Sequence, residues 1–188
     1  MKILAIVLAV VMAAGALVAV KFVSARNEIV TLNEAVSPAF AQVEVVLQRR
    51  ADLIPNLVET VKGFAKQETT VFDSIAKARA ALAGARTPQE KIAAHSEVGT
   101  AISRLLLIVE NYPLLKSNEN FLRLQDELSG TENRIAVERR KYNEVLQKYN
   151  TQIALFPSSL VASVSGFQRR DEYFRTDPGA KVTPKVSF

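Results

Sequence analysis

Apolar residues fall along this chain in three patterns, and each predicts a different kind of helix. From Ile3 to Val20, eighteen consecutive positions carry no polar side chain, between Lys2 and Lys21, and Phe22 and Val23 lengthen the stretch. At a rise of about 1.5 Å per residue, about 20 such residues cross a hydrocarbon core of about 30 Å. Lys21 is placed to extend its amine to the interface. A cleaved signal peptide is the rival reading, with Val23-Ser24-Ala25 as an acceptable cleavage site. Its apolar core is ordinarily only about 7–15 residues, so residues 1–23 read as a retained transmembrane anchor. Ala5, Ala9, Ala13 and Ala16 share one face of it. Such a stripe lets two helices approach closely in lipid, although alanine is also simply common in anchors.

In the second pattern, apolar residues recur every three or four positions. Ile29, Leu32, Val36, Phe40, Val43 and Leu47 form one stripe, and Leu57, Val61, Phe64, Phe72, Ile75 and Leu82 another. Pro38 and Pro55 predict kinks or restarts, with Ser37 capping the first. Gly84 reads as the residue that ends the second stripe. Thr87-Pro88-Gln89-Glu90 predicts a helix start with a reciprocal capping box. From there Ile92, His95, Val98, Ile102, Leu105, Val109 and Tyr112 share a face until Pro113 stops the helix, and Leu114–Ser117 reads as a short connection.

The third pattern has a period of seven. Phe121, Leu128, Ile135, Tyr142, Tyr149 and Phe156 predict a long helix packed on its neighbours. Pro157 ends it, and Ser158–Ser165 reads as one or two turns closed by Gly166. The expected fold is all-α: a transmembrane helix at 1–23 continuing into an antiparallel, up-and-down bundle of about four long helices at 24–175. Residues 176–188 read as a mobile tail, in which Val182–Phe188 alternates weakly enough to suggest either fraying or a strand added to a partner.

Composition narrows the chemistry. There is no Cys, which excludes disulfides, thiol catalysis and thiolate metal sites. His95 is the only histidine, so no site with several histidine ligands can form. It sits on an apolar stripe and reads as a packed core histidine. No GxSxG, P-loop, GxGxxG or HExxH sequence occurs. Neither catalysis nor a cofactor or metal is expected. The net charge of +5 is scattered and interleaved with acids. It reads first as a solvated surface and second as attraction to anionic lipid rather than nucleic acid.

Three polar groups interrupt the apolar stripes. Gln48, Arg49, Arg50, Asp52 and Asn56 cluster at the Pro55 break. Either Asp52 or Asn56 caps a restarted helix while the arginines bond the preceding carbonyls, or the cluster docks a partner or a phosphate headgroup. Thr131–Arg134 interrupts the seven-residue seam and reads either as a polar layer that sets register and partner choice or as an ion or ligand site inside the bundle. Arg169 and Arg170, with Phe167, Tyr173, Phe174 and Arg175, read either as a last packing element or as a basic, aromatic contact surface.

Taken together, the run from Phe40 to Glu68, FAQVEVVLQRRADLIPNLVETVKGFAKQE, closely resembles the LemA family of bacterial membrane-anchored helical proteins. Glu110-Asn111-Tyr112-Pro113 with Leu115-Lys116, Phe121 and Leu124 is similar to the family's second block. Glu127-Leu128, Thr131–Ile135, Arg140, Tyr142-Asn143, Tyr149-Asn150, Phe156-Pro157, Gly166-Phe167 and Tyr173-Phe174 are similar to its third. Phe40 departs from the family's frequent Trp, and Gln67 from its frequent His.

The resemblance implies one N-terminal membrane helix, a helical bundle and no assigned catalytic residue. It extends to proteins of bacterial organelle membranes. The expected function is a scaffold that self-associates through anchor and bundle faces and organises the membrane. The alternative is a single-copy adaptor that presents Arg49–Asn56 or the tail to a membrane enzyme. The expected location is the bacterial inner membrane, crossed once, with membrane lipid and a second copy or another protein as partners. Lys2 on one side of the anchor and Lys21 and Arg26 on the other give too small a bias to orient it, and the resemblance implies a short N-terminus outside with the body on the cytoplasmic side.

Overall fold

In the computed structural model, residues 2–175 are described, and every regular element among them is an α-helix. The order is α1 (Lys2–Lys62), α2 (Thr69–Gly84), α3 (Pro88–Val109), α4 (Pro113–Lys116), α5 (Glu119–Ala154) and α6 (Ser158–Ser165). The expected all-α architecture with four long helices is therefore present, and the tail expected at 176–188 lies outside the described residues.

The chain parses into two compact units. The first takes the chain up to Ala41 together with Lys141–Asp171. Its core is Ile29, Val36 and Phe40 of α1, Tyr142, Leu146 and Tyr149 of α5, and Val161 and Ala162 of α6. Phe40 and Tyr142 meet edge to face, with ring centroids 5.4 Å apart. The apolar stretch at the start of α1 stays outside this core: Ile3 to Val20 are all exposed.

The second unit takes Gln42–Arg140 together with the chain from Glu172. Ile54, Leu57 and Val61 of α1 form one core with Ile75 and Ala78 of α2, Val98, Ala101, Ile102, Leu105 and Val109 of α3, Leu115 of α4, and Phe121 and Leu128 of α5. Three residues join α2 to α3, and the two helices pack on each other as antiparallel neighbours. The capping box at the start of α3 forms as the sequence predicts: Thr87 accepts from the Glu90 N–H, and Glu90 accepts from the Thr87 N–H.

Several boundaries differ from the sequence reading. Neither Pro38 nor Pro55 breaks α1, which is continuous over 61 residues. An interior proline costs about 3 kcal/mol. Buried aliphatic side chains on either side each contribute about 1.5–3 kcal/mol, and only an unbroken helix keeps their stripe in register. Pro38 also faces outward, where the carbonyl it leaves free meets water.

The true break comes later, at Gly63–Glu68, inside what reads as one stripe. Ala65 turns inward there and Phe64 is left exposed. Gly84 remains inside α2, and Ala85 is the C-cap. Past α3, Pro113 opens the short helix α4 instead of lying in a plain connection. The seven-residue series is buried from Phe121 to Tyr149, but Phe156 lies past the end of α5 and is 80 % exposed. The turns after it form α6, which Gly166 closes in the left-handed region at φ 77°.

Candidate functional site

The densest polar assembly among the described residues is built around Arg50, inside the second unit. Arg50 lies on the buried stripe of α1, three residues after Leu47 and four before Ile54, and is 3 % exposed. Its guanidinium fork joins three helices. Nη1 donates to Glu132 Oε2 of α5 at 2.8 Å, and Nη2 donates to the main-chain oxygen of His95 in α3 at 2.9 Å. A buried arginine is stable only when its fork meets such acceptors. Glu132 keeps the outer side of its carboxylate in water, which lowers the desolvation cost of the pair.

Two further groups share this environment. Arg139 of α5 stacks on the Phe174 ring at 5.0 Å. Burial and the nearby Arg50 charge lower its pKa, against the opposing effect of Glu132. The His95 ring is buried, and its Nδ1 meets no hydrogen-bond partner among the described residues. Burial, reinforced by the charges of Arg50, Arg139 and Lys91, lowers the imidazole pKa to about 4. The ring is neutral at pH 7.

A half-open recess of about 280 Å³ lies over His95. Glu44, Gln48 and Ala51 of α1, Arg79, Leu82 and Ala83 of α2, and Lys91 of α3 line the rest of it. Lys91 pairs with Glu44. The recess holds no nucleophile beside a base, and no three His, Cys, Asp or Glu side chains gather at a metal-binding spacing among the described residues. This arrangement locks three helices together.

The structure separates the sequence-predicted site residues. Neither Asp52 nor Asn56 caps a helix, because α1 does not restart. Asp52 instead accepts from Gln48 Nε2 at 2.7 Å, and the Asn56 carbonyl accepts from the Thr60 hydroxyl. Arg50 does not bond carbonyls of its own helix but reaches α3 and α5. Arg49, Asp52 and Asn56 stand exposed on the other side of α1.

Thr131 is buried, yet its hydroxyl only returns to the Leu128 carbonyl at 2.7 Å, so its neighbour Glu132 carries the link between helices. In the first unit, Arg170 is held through main-chain bonds to the Asn150 side chain, and its guanidinium lies 5.7 Å from the centre of the Tyr149 ring. Arg169 is exposed and bonds Asp171. Ala5, Ala9, Ala13 and Ala16 are all exposed.

Arg139 and Phe174 were not visible as a pair in the sequence, being 35 positions apart. Arg50 did leave a signal: it is an arginine at a stripe position, where a buried hydrogen-bonded fork is the only inexpensive solution.

Comparison with known proteins agrees with this architecture. The chain is similar to the magnetosome proteins MamQ 1 and MamQ 2 of Paramagnetospirillum magneticum, each 28 % identical over 189 residues, covering 85 % of this chain and 69 % of the relative. It is 27 % identical to the magnetosome protein MamQ of Magnetospirillum gryphiswaldense over the same coverage. A family model matches residues 39–188, from the first unit's Ala39 through the whole Arg50 assembly. The chain belongs to the LemA family.

Proposed function

We propose that this protein is a membrane-anchored helical scaffold without catalytic activity, which self-associates and organises the bilayer around it. The observation that carries the reading is α1. One continuous helix joins a bare apolar stretch of membrane-crossing length to a packed, internally locked helical body. The magnetosome relatives support a role at a membrane. The protein crosses the bacterial inner membrane once, with its body on the cytoplasmic side. Contacts between copies run through the Ala5, Ala9, Ala13 and Ala16 face and through exposed bundle faces. Membrane lipid is the other partner.

The test is the mass and shape of the full-length protein extracted with its native lipid, by light scattering and electron microscopy. An ordered assembly around lipid is expected, and a monomer overturns self-association. Protease digestion of intact spheroplasts reads the side of the body, which stays protected if it is cytoplasmic.

A second reading rests on the exposed row of Arg49, Asp52 and Asn56, which the fold leaves without a role in packing. It makes the protein an adaptor that presents this row to a membrane enzyme. Co-purification of a partner that is lost in Arg49→Ala/Asn56→Ala, with the fold intact, favours it.

A further inference from the structure

Helix α6 carries apolar side chains on both of its faces. Ser158, Val161 and Ala162 are buried against the first unit. Leu160 and Val164, one turn apart on the opposite face, are 61 % and 78 % exposed, and the preceding Leu155 and Phe156 are 54 % and 80 % exposed. A surface helix of a water-soluble body ordinarily turns polar residues outward.

The register within the first unit places this patch. Phe40 of α1 packs on Tyr142 of α5, and Glu28 and Leu32 of α1 lie beside Gln147, Lys148, Thr151 and Gln152 of α5. The two helices run antiparallel, so each step toward the end of α5 is one step back along α1. Ala154, twelve residues past Tyr142, falls level with Glu28, twelve residues before Phe40. Leu155 and Phe156 lie past that level, on the side of the apolar stretch, and α6 leads back from them, with Gln152 Nε2 donating to Ser158 Oγ at 3.1 Å. The chain then returns, and the Tyr149 hydroxyl donates to the Gln168 carbonyl at 2.8 Å.

Only a few residues separate Glu28 from Val23, the last residue of the apolar stretch. At about 1.5 Å per residue that is less than about 10 Å. The headgroup zone of one leaflet is itself about 5–8 Å deep. Lys21 and Arg26 of α1 are exposed between the end of the apolar stretch and that level, where an anionic lipid surface would meet them.

We propose that the Leu155–Phe156 turn and the outer face of α6 (Leu160 and Val164) insert into the lipid headgroup zone as a second membrane contact beside the α1 anchor. The proposal rests on the reading of α1 as a membrane span. A single helix would leave the body free to tilt, whereas two contacts fix the first unit's attitude to the bilayer.

The chain contains no Trp, so single substitutions report without background. Full-length F156W, L160W, V11W and, as a water-exposed reference in the second unit, L114W are each reconstituted in vesicles of phosphatidylethanolamine and phosphatidylglycerol. Helical circular dichroism checks that each variant folds. The indoles of F156W and L160W are expected to emit to the blue of the L114W indole. They are also expected to be quenched several-fold more than L114W by lipids brominated near the headgroup. The V11W indole is quenched best by deeply brominated lipid.

If V11W is quenched while F156W and L160W behave like L114W, the second contact is refuted and the anchor stands. If V11W also escapes quenching, both readings fail. Shielding of the F156W indole from iodide without bromolipid quenching means that protein covers the patch, and it overturns the lipid assignment.

Discussion

Two helical stretches among the described residues are long and apolar enough to cross a membrane, yet they are treated oppositely by the fold. The start of α1 is bare along its apolar length, whereas α3 is built into the second unit through Ala94, His95, Val98, Ala101, Ile102, Leu105 and Val109. They differ in mean hydropathy, 3.0 against 1.4, and that difference has its source in pattern. Glu97, Thr100, Ser103 and Arg104 give α3 a polar outer face. Ile3–Val20 has no polar face at all, so no packing against a bundle would leave it a surface suited to water.

Substitution breaks that comparison most strongly inside α3. Leu105 is fully buried, and Leu105→Ala is expected to destabilise the body by about 2–5 kcal/mol. Urea unfolding followed by circular dichroism measures it, with membrane flotation unchanged as long as the variant folds. The complementary change is Val11→Arg, which adds about 3 kcal/mol to the cost of inserting α1. Protein should shift out of the floating membrane fraction while the urea midpoint of the body stays within error. An α1 that still floats fully would contradict its role as the anchor.

A smaller effect is expected at the link between helices. Arg50→Leu removes both bonds of the fork, but Glu132 is already half in water and is not stranded as a buried charge. A loss of about 1–3 kcal/mol is expected. A matching loss in Glu132→Gln, and non-additivity in the double variant, would show that the two residues act as a unit.

The smallest and most specific effect concerns pH. The His95 pKa falls from 6.5 to about 4 on folding, so the unfolded chain binds more protons between those values. The stability held by neutral His95 is therefore complete above about pH 6.5 and is lost as the pH falls toward 4. The upper bound is about 3 kcal/mol, and solvent at the open recess reduces it to nearer half. Urea midpoints at pH 7 and pH 4.5 should differ in the native protein and converge in His95→Gln. Equal pH dependence in both proteins would assign the effect to other groups.

Much of this fold was legible because burial has a period. The stripes of α1 and α3, the seven-residue series of α5 and the capping box at Thr87 all report helix faces and ends through local spacing. The prolines misled because a local rule was applied where a long-range term is larger: α1 stays helical through both, which keeps Val36 and Phe40, and Ile54 and Leu57, facing inward. Phe156 misled in the opposite direction. It continues the seven-residue series on paper, but α5 ends at Ala154 and the phase no longer applies.

The candidate site was only half legible. Arg50 stood in the expected cluster, but it was read together with Arg49, and only the fold separates the buried arginine from the exposed one. Its partners were hidden because Glu132 is 82 residues away and the second acceptor is a main-chain oxygen, which no side-chain pattern reveals.

The sequence by itself determined the helical class, the apolar stretch of membrane-crossing length, the stripe that each helix buries and the family, since each is encoded in the local order of apolar and polar residues. Tertiary structure alone decided that Arg50 and His95 meet inside one unit while Arg49, Asp52 and Asn56 face water, and that Leu160 and Val164 of α6 stay uncovered. Those outcomes depend on which helices lie side by side and in what register, and that is set by the summed burial of the whole core rather than by any short run of residues.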